Sequence, residues 1–106
     1  MPKYLIAASL TERGVQGVLK EGGSSRREAL KKTAESVGGT LEAFYFAFGE
    51  TDVYLIVDVP DAAAAAALSM TTTATGAVRV KTTVLITPEE MDEAKTKSVE
   101  YRPPGA

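Results

Sequence analysis

The chain has 106 residues, 44% apolar and 25% charged, with a net charge of -2, as in one ordinary globular domain. Slight acidity argues against nucleic acid or anionic lipid as a partner, and no apolar run approaches the roughly 18–20 residues of a membrane span. The absence of Cys, His and Trp excludes disulfides, thiolate nucleophiles, imidazole triads and His or Cys metal sites. Acid–base chemistry would fall to Asp, Glu, Lys or Tyr. A carboxylate site for Mg²⁺ or Ca²⁺ is the one metal option left open; no metal and no cofactor is assigned.

In chain order, "MPKYLIAASL" has one Lys and too short an apolar run for a secretory signal, so the chain is expected in the cytoplasm. Residues 3–9 within it read as a central strand. Thr11 is expected to cap a helical turn through "TERGVQGVLKEG", with Val15, Val18 and Leu19 on one side, weakened by Gly14 and Gly17. A stronger helix is predicted from Ser25, where Ser25 and Glu28 fit a capping box and Leu30, Ala34 and Val37 form an apolar stripe. Gly38-Gly39 ends it.

Two strands follow, about 40–48 and 53–59, with Gly49–Asp52 as the turn. Pro60-Asp61 then opens a helix whose run Ala62–Ala67 suits close packing on a sheet, and which "SMTTTATG" ends. Residues 77–86 read as a last strand, with Val78, Val80, Val84 and Ile86 alternating with Arg79, Lys81, Thr83 and Leu85. Thr87-Pro88-Glu89-Glu90 is a second capping box, opening a short helix to about Lys97. Residues 1–98 are expected to form the single domain, and 99–106 an extended tail.

This order implies an α+β, ferredoxin-like split βαβ fold, a four-stranded antiparallel sheet with both main helices on one face. Pairing the hairpin sets Phe48 against Val53, Phe46 against Leu55 and Phe44 against Val57, all under the helices. The other face would carry Ala43, Tyr45, Ala47, Tyr54, Ile56 and Asp58, with Leu41 on the same side. Such a face is too apolar to stay in water. A second copy of the chain, sheet against sheet, is expected to cover it and to leave a small cleft between sheet and partner.

The segments "YLIAASLTERG", "AESVGGTLEAFYFAFGETDVYLIVDVPD" and "VRVKTTVLI" together resemble the GYD-domain family, over about residues 3–92. The resemblance implies a dimeric α+β barrel, a homodimer or higher homo-oligomer of ferredoxin-like protomers. The family's name motif is Gly, any residue, Tyr, Asp. Gly49 and Asp52 match it, whereas Thr51 stands in place of Tyr. The resemblance implies little about activity, since related barrels include cofactor-free monooxygenases and isomerases beside members with no known reaction.

The candidate cleft residues are Tyr45, Tyr54, Asp58 and Lys81, with Arg79 and Thr83 nearby. Lys81 is expected to lean across the first strand toward Asp58. Two phenols and a Lys–Asp pair could bind a small anionic or phenolic ligand; the plainer reading is a hydrogen-bonded dimer interface. For Asp52 the plainer reading is a carboxylate that bonds backbone N–H groups and fixes the turn, and for Gly49 a backbone angle other residues avoid. Arg26, Arg27, Lys31 and Lys32, interleaved with Glu28 and Glu35, read as a solvated helix face.

Three functions follow. The first is a homo-oligomeric binding or structural module. The second is a cofactor-free enzyme, of monooxygenase or isomerase type, acting on a small aromatic or oxygenated metabolite. The third is a regulatory module that binds a nucleotide or metabolite.

Overall fold

The computed structural model describes residues 1–106. Its elements run β1 (Lys3–Leu10), α1 (Glu12–Glu21), α2 (Gly23–Ser36), β2 (Thr40–Phe46), β3 (Val53–Asp58), α3 (Ala62–Ala74), β4 (Val78–Leu85) and α4 (Pro88–Lys95). The strands form one sheet in the order β2-β3-β1-β4, every pair antiparallel. This is the expected ferredoxin-like α+β arrangement, with an extra helix after β4. No helix is long and apolar enough to cross a membrane.

Local chemistry sets most boundaries. Thr11 caps α1 by accepting the Gly14 N–H. Thr11 and Arg13 also bond the Gly76 and Thr75 carbonyls, which stitches the start of α1 to the turn before β4. Asp61 caps α3 by accepting the Ala64 N–H, and Thr87 with Glu90 forms the expected capping box of α4.

At α2 the expectation fails. The helix starts at Gly23, two residues before Ser25, and no side chain caps it. Gly22, at φ 85°, turns the chain directly from α1 into α2 and leaves the Ser25–Glu28 pairing inside the helix. The third helix also runs further than its composition suggests. The Thr72 hydroxyl donates to the Leu68 carbonyl while Leu68 is buried, so packing carries the helix through the threonines.

The hairpin register differs by two residues from the predicted one. Phe46 pairs with Val53, Tyr45 with Tyr54 and Phe44 with Leu55. β2 stops at Phe46 because the Ala47 N–H closes onto the Asp52 carbonyl, and Asp52 is itself drawn to β1. Phe48 therefore stands in the loop, fully exposed, and Ala47 leaves the sheet. An even slip preserves faces, so Phe44 and Phe46 stay on the helix side and Tyr45 on the open side. A bulge at Glu42 changes the parity before it and moves Leu41 to the helix side, against the core.

That core gathers Tyr4, Ile6, Leu55, Val57, Val59 and Leu68 with smaller residues, between the sheet and α2 and α3. Only 12 of 106 residues are buried, few for a chain of this length. The radius of gyration is 16.8 Å, against roughly 13 Å for a compact domain of this size. The excess is consistent with the exposed C-terminal end, since α4 buries no residue and Val99 and Tyr101 are exposed.

Candidate functional site

The open sheet face is ordered by its pairing into rows. Tyr45, Tyr54, Ala7 and Lys81 form one row across all four strands. Thr40, Asp58, Lys3 and Leu85 form another, four residues away along β1. At about 3.3 Å per residue, Lys81 is some 13 Å along the strands from Asp58, so the expected Lys81–Asp58 pair does not form. Tyr45, Tyr54 and Lys81 do share a row, and Tyr45 is 71% exposed.

Asp58 is instead taken by Lys3, which the sequence reading passed over. The Lys3 ammonium donates to both carboxylate oxygens, at 2.9 and 3.1 Å, and lies 3.2 Å from the bulged Glu42. The bond to Asp58, and after it that to Glu42, holds the Lys3 pKa above its ordinary 10.5. The signal for this triad was available: in an antiparallel β1–β3 pair the first residue of one strand meets the last of the other.

Around the turn, the Asp52 carboxylate accepts the Leu10 N–H at 2.8 Å, and the Asp52 N–H donates to the Ala8 carbonyl. The carboxylate thus binds the hairpin loop to the end of β1. Gly49 sits at φ 126°, a backbone angle that side chains disfavour. Thr51, where the family motif has Tyr, lies half-buried between them.

A partly open apolar space lies on the opposite side of the sheet. A cavity of ≈ 140 Å³ separates the sheet from the helices, with Ile6, Leu30, Phe44, Leu55, Leu68 and Val80 among its walls. Of its 20 lining residues 15 are hydrophobic, and the rest are Arg26, Thr33, Ser69, Thr72 and Thr75. None of Tyr45, Tyr54, Asp58 and Lys81 contributes to it. Phe44 and Phe46 meet edge to face at 5.3 Å, and the Phe46 ring, 43% exposed, packs against Gly23. Arg26, one turn along α2 from Gly23, belongs to this wall and not to the freely solvated face expected of it.

The sequence profile described as GYD domain matches residues 4–94. No curated protein and no solved structure matches the chain significantly. The profile spans all of the sheet but Lys3, the first three helices and nearly all of α4, with Gly49 and Asp52 in the structural places just described. The chain therefore belongs to the GYD-domain family.

Proposed function

We propose that this GYD domain is a binding module that holds a small apolar ligand between its sheet and helices and works as a homodimer joined through its open sheet faces. The observation that carries the ligand reading is the cavity. It is apolar, walled on two sides by secondary structure, and about as large as engineered cavities that accept a benzene ring. Its one ionic side chain is Arg26, and no carboxylate, amine or phenol lines it. The lining suits holding and desolvating a molecule better than acid–base conversion of it, which favours the module over the enzyme.

The dimer is supported by the open face. Leu5, Ala7, Tyr45, Tyr54 and Ile56 make it apolar, and the small core leaves the protomer short of buried surface. A twofold axis parallel to the strands would lay the β4 side of one copy over the β2 side of the other. Lys81 would then approach the partner's Tyr45, an arrangement that favours a cation over an aromatic ring. The cleft expected between sheet and partner would lie along this row.

The test is a titration of ¹⁵N-labelled protein with toluene. We expect saturable shifts at Leu30, Phe44, Leu55 and Leu68. Shifts confined to Tyr45, Tyr54 and Asp58 would move the ligand to the open face, and no saturable shift would end the ligand reading.

A further inference from the structure

We infer that the ligand of this cavity is a monocarboxylate with a hydrocarbon body about the size of one aromatic ring, its carboxylate held by Arg26. This rests on the reading of the cavity as a ligand site and adds the chemistry of the head group. The argument is an inventory of hydrogen-bond donors in the wall. The Thr33 hydroxyl donates to the Ala29 carbonyl at 2.9 Å, Thr72 to Leu68 at 2.8 Å, and Thr75 to Thr72 at 2.7 Å. Ser69 shares its bond with Thr82 at 2.8 Å. The three threonine protons are committed to the protein itself, and Ser69 is tied to Thr82.

Arg26 differs. Its guanidinium carries several N–H donors in a planar fork, and its one ionic contact is Glu21 at 3.6 Å, longer than a hydrogen bond. Both side chains of that pair are more than a third exposed, so the pair is weak and easily exchanged for another carboxylate. Arg26 lines the cavity from α2 while its side chain stays more than a third exposed, which places it where the apolar space meets solvent. A ligand whose body fills the apolar space thus meets, at the rim, a cation with free donors in the geometry that suits a carboxylate. The volume matches a body of about one ring.

The experiment is calorimetric titration with phenylacetate, its neutral isostere phenylacetamide, and toluene, on the unmodified chain, Arg26→Gln and Arg26→Lys. We expect phenylacetate to bind about tenfold tighter than phenylacetamide to the unmodified chain, as one charge-assisted contact at a partly exposed site would give. Arg26→Gln should abolish that preference, and Arg26→Lys should retain part of it. Arg26 is not part of the buried core, so far-UV circular dichroism should show all three proteins equally folded. Equal affinity for phenylacetate and phenylacetamide, or a preference that survives Arg26→Gln, overturns the carboxylate assignment. Toluene binding in that case leaves the cavity reading standing, whereas failure of all three probes overturns both.

Discussion

Two glycines of α1 show how little of a residue's role lies in its own helix. Gly14 is buried, and a Cβ added there would land on the carbonyl oxygen of Ala77. Gly17, three residues on, would meet nothing within 4 Å. Helix propensity alone predicts that alanine improves both positions by roughly 1 kcal/mol. Packing reverses the sign at the first. We expect Gly14→Ala to cost about 1–3 kcal/mol, because backbone must move to admit the methyl group. Gly17→Ala should gain roughly 1 kcal/mol. Urea unfolding of the two variants decides it, and equal behaviour would show that α1 does not depend on close approach to the turn before β4.

At the scale of the element, what was legible in the sequence is what neighbouring residues settle among themselves. Thr11 and the Thr87–Glu90 box each satisfy a helix end within three residues and form as read, and Asp61, read only as the helix start, caps α3 in the same way. The α2 start was misread because Ser25–Glu28 is a good local signal overruled by Gly22, whose conformation serves the packing of α1 on α2. The hairpin register was misread because Asp52 answers to Leu10, a residue 42 positions away. The Lys3–Asp58–Glu42 group was missed because it shows only once β1 is laid against β3, although that pairing follows from the fold. The cavity was out of reach, since local patterns locate apolar residues but not the space they leave unfilled. The fourth helix offers a test of locality. It is well capped yet buries nothing, so Thr87→Ala should remove about 1 kcal/mol from that helix alone. Amide exchange in residues 88–95 should speed up several-fold while the global unfolding midpoint stays put. A shifted midpoint would mean that α4 is docked on something in solution.

For the whole molecule, a sparse core and an apolar open face belong together. A protomer that buries so few of its residues gains stability by covering that face, and standard interfaces bury about 1,200–2,000 Å² in total. We expect a dimer by sedimentation equilibrium at micromolar concentration. Tyr54→Glu, which sets a carboxylate in the middle of the aromatic row without touching the helix side, should give a folded monomer. A monomeric unmodified chain would refute the dimer, and a Tyr54→Glu dimer would place the contact on another surface.

The bulge at Glu42 has a consequence for solubility. β2 is an edge strand, and the stretch "AFYFAF" that follows the bulge is aromatic, uncharged and free of proline, the composition of segments that stack into fibrils. An unbroken edge there would offer the next chain a regular row of unpaired backbone groups. Glu42 interrupts the row with an unpaired residue and a carboxylate tethered by Lys3, a guard against edge-to-edge stacking. Deleting Glu42 would restore a regular ladder, with Leu41 against Val57 and Ala43 against Ile56 and no side chain changing face. That variant should keep its fold and yet seed thioflavin-positive aggregates sooner than the unmodified protein, whereas an unchanged lag time would mean that the edge is already covered by other means.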